Sequence, residues 1–121
     1  MPYSKLVIAE IVSLSSYESQ VSALMDEDER LAMEFFIALA PEVHPVIPGA
    51  GGFRKARWAR RGQGKSGGFR VIYFFLAEPG RVYMASIYAK SRKRALSAAD
   101  QNVLAKLAAQ IKRAVKGGRQ A

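Results

Sequence analysis

The chain has 121 residues, 50% hydrophobic and 24% charged, the size and composition of a single folded domain over residues 1–121 rather than a disordered chain. It has no cysteine and one histidine. That excludes disulfides, thiolate metal sites and cysteine nucleophiles, and leaves a two-histidine ribonuclease mechanism impossible. No stretch reaches the ~18 apolar residues of a spanning helix, and the apolar run Leu6–Val12 is broken by Glu10 and lacks a basic leader, so the expectation is a soluble cytoplasmic protein with no membrane partner.

The net charge is +9 and unevenly distributed. Residues 1–52 carry two basic side chains, Lys5 and Arg30, against eight acidic ones. Residues 53–121 carry seventeen basic against two acidic, Glu78 and Asp100. A polyanion is the natural partner for such a half, because each neutralised phosphate releases counterions.

In chain order, residues 5–10 predict a short strand. Ser15 or Ser16 is placed to cap a helix running to about Met25. Asp26, with Glu29 three residues on, predicts a capping box for a second helix over about 27–40. Its apolar face is expected at Leu31, Phe35, Ala38 and Leu39, and Pro41 ends it. The acid run Asp26-Glu27-Asp28-Glu29 suits the positive end of a helix better than a metal, since adjacent helical positions point apart.

The glycine loop Gly49-Ala-Gly-Gly52 precedes a strand over about 53–59. A second glycine-rich loop, 61–68, leads into the strongest strand, 69–77, rich in aromatic and β-branched residues. Glu78-Pro-Gly80 turns the chain into a hairpin partner at 81–88. Ser97 with Asp100 predicts a capped last helix, with a stripe of Val103, Leu104, Leu107, Ala108, Ile111 and Val115 that ends at Gly117-Gly118. The order predicts an α+β fold: a small antiparallel β-sheet, two N-terminal helices and one C-terminal helix, all the helices on one face.

Ala59-Arg-Arg-Gly-Gln-Gly-Lys65-Ser66 fits a loose phosphate-loop pattern. Such a loop needs a helix after it to hold the phosphates. Here Gly67-Gly68 and a strand follow, so nucleotide hydrolysis is rejected.

Alternation puts Lys55 and Arg57 on one face of the second strand, Arg70 opens the central strand, and Lys90 lies just past the fourth. Arg54, Arg60, Arg61, Lys65, Arg92, Lys93 and Arg94 extend the basic surface. Trp58, Tyr73, Tyr83 and Tyr88 are candidate base-stacking aromatics or core residues. His44 is a lone loop histidine.

Gly49-Ala-Gly-Gly-Phe-Arg-Lys-Ala-Arg-Trp58, Gly62-Gln-Gly-Lys-Ser-Gly-Gly-Phe-Arg-Val-Ile-Tyr73 and Ile87-Tyr-Ala-Lys90 resemble the toxins of the RelE/ParE superfamily, most closely the HigB-type branch of toxin–antitoxin pairs. The resemblance implies a RelE-like fold and a ribosome-dependent, metal-independent endoribonuclease, an mRNA interferase that needs no cofactor. It would work in the ribosomal A site and cut mRNA by attack of a ribose 2′-oxygen on the adjacent phosphate. Matching the motifs implies Lys55, Arg57, Arg70 and Lys90 as the catalytic set, with Arg70 clamping the phosphate. Lys55 and Lys90 are candidate proton carriers. Arg54, Arg60, Arg61, Lys65, Tyr88, Arg92, Lys93 and Arg94 are expected to bind RNA. Relatives with a C-terminal Tyr or His use it in the chemistry, and this chain has neither after Tyr88, so the general base stays open. The resemblance also implies a cognate antitoxin, expected to be of helix-turn-helix type. Two other readings stand beside it: a non-catalytic gyrase poison like the ParE side of the superfamily, and a plain nucleic-acid-binding module.

Overall fold

The computed structural model describes residues 8–59, 68–92 and 95–120, without the side chains of 118–120. The elements are β1 (Glu10–Ser13), α1 (Ser15–Leu24), α2 (Glu27–Leu39), β2 (Arg54–Trp58), β3 (Phe69–Leu76), β4 (Arg81–Ala89) and α3 (Ala98–Gln120). The α+β class and the two-plus-one helix order are as expected.

The sheet differs from the expected antiparallel one. Its order is β1-β4-β3-β2, with antiparallel β2–β3 and β3–β4 pairs, but β1 pairs parallel to β4. The sheet is therefore mixed. A helical hairpin separates β1 from the rest, and such a connection lets the strand return in either direction. Of the strand predicted at 5–10, residues 5–7 lie outside the described residues, and the described strand runs on to Ser13. Ala9 N–H donates to the Ala38 carbonyl at 3.3 Å, which ties this residue to the end of α2, and sheet pairing begins at Glu10 opposite Arg81.

Helices cover both faces of the sheet, not one. On one side Tyr17 and Val21 of α1 and Met33 and Ile37 of α2 pack on Ala56, Phe69, Val71, Tyr73, Val82, Met84 and Ile87. On the other, Ala108 and Ile111 of α3 pack on Phe53, Ile72, Phe74, Tyr83 and Ala85. The central strand is apolar at both parities, and that is why it needs two cover layers. Each buried side chain of this size contributes about 1.5–3 kcal/mol. A bulge between Ile72 and Tyr73 accommodates Ala85 as the extra residue of β4.

The caps follow local chemistry in part. Asp26 accepts from Glu29 N–H at 2.9 Å, while the Glu29 carboxylate accepts from the Trp58 indole at 3.0 Å and ties α2 to β2. Ser97 and Asp100 make both bonds of a capping box, at 3.0 and 3.1 Å. Helix α1 is not serine-capped. Leu14 holds the cap position without a side-chain bond, and Ser16 reaches across to the Ala85 carbonyl at 2.7 Å.

The predicted face of α2 is wrong except at Ala38. Met33, Glu34, Ile37 and Ala38 are buried, while Leu31 is 55% and Phe35 52% exposed, and Leu39 is exposed as well. The helix carries two apolar stripes, and periodicity alone does not say which one meets the sheet. Helix α3 runs through Gly117 and Gly118 rather than ending there, and Val103 of its predicted stripe is exposed.

A polar cluster locks the helical hairpin. The Tyr17 hydroxyl, fully buried, donates to Glu34 Oε2 at 2.5 Å. Arg30 binds Glu34 at 2.9 Å and Glu18 at 2.7 Å, with its guanidinium 5.5 Å from the Tyr17 ring centre. Burial, then Glu34, raises the Tyr17 pKa well above the phenol range. The Glu18 hydrogen bond foremost raises that of Arg30. Across the sheet, Gly51 lets α3 approach. Its φ is +71°, and a Cβ there would lie 2.9 Å from the Ala105 Cα.

Two outcomes test this packing by urea denaturation. Tyr17→Phe lowers stability by about 2 kcal/mol, the worth of a hydrogen bond to a charged acceptor. Gly51→Ala costs more than about 1 kcal/mol, because the new side chain meets both a left-handed backbone and the α3 main chain.

Candidate functional site

The register of the three antiparallel strands builds the site. Arg57 of β2 pairs with Arg70 of β3, and Arg70 pairs with Tyr88 of β4. These three residues form one row across the sheet on the face that α3 covers. Directly opposed Cβ atoms in such a row lie ~4.5–5.5 Å apart. The next row holds Lys55, Ile72 and Ser86, about 6.7 Å further along the strands. Lys90 follows β4 at the other end, and its N–H donates to the Gly68 carbonyl at 3.0 Å. The Arg70 guanidinium leans toward the same end, with Nη1 3.4 Å from the Phe69 carbonyl.

Three of the predicted catalytic set, Lys55, Arg57 and Arg70, therefore share one sheet face, and Lys90 lies just past the end of β4, beside Gly68. Among the described residues none of the four enters an ion pair; the salt bridges there belong to Arg30 and Arg81. Arg57 and Lys90 are exposed, and Lys55 and Arg70 half-buried. Like charges directly opposed across a strand pair repel. An anion between them would relieve that repulsion and accept from the forked guanidinium donors.

The RNA-binding candidates divide. Tyr88 stands in the row and is half-buried against the α3-side core. Arg92 is exposed and borders a cleft of about 710 Å³ with Gln20 and Leu24, on the α1 side. Arg54 points to the α2 side of β2 and donates to the Glu42 and His44 carbonyls at 3.0 and 2.8 Å, holding the loop before the strand. Arg60, Arg61, Lys65, Lys93 and Arg94, with most of the phosphate-loop-like segment, lie outside the described residues. Of the aromatics, Tyr73 and Tyr83 are core residues on opposite faces, and Trp58 is held by Glu29.

His44 lies away from the cation row. Its ring sits 5.2 Å from Phe36 and 6.1 Å from Tyr73, and among the described residues its buried Nε2 has no hydrogen-bond partner. Burial first, then the Arg54 charge, lowers its pKa. Tyr73, pushed up to about 12 by burial, donates to the Pro41 carbonyl at 2.7 Å and closes the same loop. Among the described residues no three His, Asp or Glu side chains group to hold a metal, and no helix is long and apolar enough to cross a membrane.

With this geometry in hand, comparison with known proteins decides the family. The model of the RelE toxin of the RelE / RelB toxin–antitoxin system matches residues 49–118. The chain belongs to the RelE toxin family. A RelE toxin is one half of a toxin–antitoxin pair, so membership brings an antitoxin partner. The matched segment holds the whole cation row and α3 up to Gly118. The fold is that of the E. coli toxin RelE, solved in the free state as a double arginine-to-alanine mutant. That match has a TM-score of 0.52 at 13% identity, over 72% of this chain and 88% of that one.

Sequence reasoning did not find Ser86 and Gln101 as neighbours of the cation row. No local pattern marks either one; register and helix docking bring them there.

The lowered His44 pKa gives a signed pH dependence. A neutral imidazole stabilises the fold above the free value of 6.5, and that stability is lost as pH falls below it and through the folded value. Wild type is expected to lose stability faster than His44→Phe between about pH 7 and 5, read by urea midpoints at each pH.

Proposed function

We propose that this toxin is a ribosome-dependent mRNA endoribonuclease that promotes 2′-oxygen attack on the adjacent phosphate with a row of cations. The observation that carries this is the Arg57–Arg70 cross-strand pair, flanked by Lys55 and Lys90, with no carboxylate partner among the described residues. In-line attack builds negative charge on the non-bridging phosphate oxygens. Two guanidinium groups fixed by strand register lie ready for that charge before the reaction starts, and preorganised donors of this kind are usually the largest catalytic contribution. Arg70 clamps the phosphate, Arg57 opposes it from β2, and Lys55 and Lys90 hold the neighbouring phosphates or move protons. The general base is not assigned to any residue. Within the family, the motifs at 62–73 and 87–90 favour the HigB-type branch. The setting is cytoplasmic, in the ribosomal A site, and the antitoxin is of helix-turn-helix type.

The reading predicts that Arg70→Ala lowers message cleavage on programmed ribosomes by about 10²–10³-fold, while Arg70→Lys keeps part of it. Mapping message ends after brief induction reads both. DNA breaks that persist in Arg70→Ala would point to a gyrase poison instead. RNA binding without cleavage in any variant, wild type included, would leave only a binding module.

A further inference from the structure

A cleft of about 320 Å³ opens on the sheet face that carries the cations, between the 45–48 loop and the start of α3. Pro45, Ile47, Pro48 and Leu96 wall it, and Lys55 and Gln101 are its polar members. We propose that this cleft is a nucleobase subsite, which holds one base of the RNA strand beside the scissile phosphate and reads its edge through the Gln101 amide. The proposal rests on the nuclease reading above and names where that substrate's base goes.

Position is the first argument. Lys55 belongs both to the cleft and to the cation face, one row from the Arg57–Arg70 pair, so a strand held there by its phosphate has the adjoining nucleoside at the mouth of the cleft. Chemistry is the second. Apolar lining by Pro45, Ile47, Pro48 and Leu96 suits the faces of a base, and a carboxamide offers one donor and one acceptor side by side, the pattern that reads a base edge. Among the described residues the Gln101 side chain makes no hydrogen bond, so both groups are available. Gly49 leaves the room for it: a Cβ there would stand 3.2 Å from Gln101 Oε1.

Preorganisation is the third argument. The loop is fastened by Ile47 N–H to the Phe53 carbonyl at 2.8 Å and by Lys55 N–H to the Pro45 carbonyl at 3.0 Å. The helix start is fastened by the Ser97–Asp100 capping box. A pocket between two fixed walls pays little ordering entropy when a base enters. At this volume it lies at the small end of ligand pockets. A single cation suits it poorly to a free polyanion, and its two polar groups suit it poorly to an apolar peptide.

The experiment compares wild type with Gln101→Leu in two readouts. The first titrates each protein with the four ribonucleoside 5′-monophosphates and follows by NMR the Leu96 methyl resonances in both and the Gln101 side-chain amide in wild type. The second maps cleavage sites on programmed ribosomes. Wild type is expected to prefer one base by on the order of tenfold, and Gln101→Leu by less than twofold, with its cleavage sites redistributed to match. The core methyl spectrum of the variant reports that it is folded. The proposal is overturned if the nucleotides move only resonances around Lys55 and Arg70. It is overturned too if base preference and cleavage map are the same in both proteins. Base-selective binding by a wild type that cuts no message would remove the nuclease reading and keep the cleft as a nucleobase site.

Discussion

Two arginines face each other across a strand pair, and the rest of the molecule is arranged around that fact. Arg57 and Arg70 are held opposite by β2–β3 register, a placement that opposes folding because like charges in that position repel. The apolar layers on both sides of the sheet must outweigh it. They do so with the fully buried Tyr73, Phe53, Phe69, Met33, Ile37 and Ile72, which fix the register as they bury. A one-residue slip of β3 would turn Phe69, Ile72 and Tyr73 to the wrong faces. The core that stabilises the fold is thus also what holds the cations at a set spacing.

The acidic side chains work elsewhere. Glu18 and Glu34 bind Arg30, Glu10 binds Arg81, Glu29 accepts from Trp58, and Asp26 and Asp100 cap helices. These contacts tie the N-terminal half together and join it to the sheet. Among the described residues no carboxylate pairs with the cation row, so the field there attracts a polyanion. The uneven charge along the sequence becomes a division between an acidic helical hairpin and a basic sheet end.

The helices share the work unequally. Helices α1 and α2 cover one face around Tyr17 and Met33, and α3 covers the other through Ala108 and Ile111. The start of α3 and the segment leading into it place Gln101 and Leu96 beside Lys55, at the border between core and cations. Gly51 allows this docking, because any side chain there would meet the Ala105 backbone. A glycine in a loop therefore helps to shape the site from a distance.

Element order, the α+β class, the strands around Lys55, Arg70 and Tyr83, the Asp26 and Ser97 caps, and the shared parity of Lys55 and Arg57 were all legible from the chain. They depend on neighbours within a few residues: a period of two, a period of 3.6, a capping side chain. The parallel pairing of β1, the second cover layer, the buried face of α2 and the continuation of α3 through Gly117 were not. Each depends on which of two apolar surfaces finds a partner, and the partner lies tens of residues away. Arg54 shows the same division: its sequence neighbours mark it as one more cation, while its contacts to the Glu42 and His44 carbonyls make it a loop clamp. The amino-acid sequence by itself determined the family-bearing motifs and the supply of positive charge. Only the tertiary structure decided which charges meet in one row and which cleft they adjoin, because strand register and helix docking are set by long-range burial, not by local pattern.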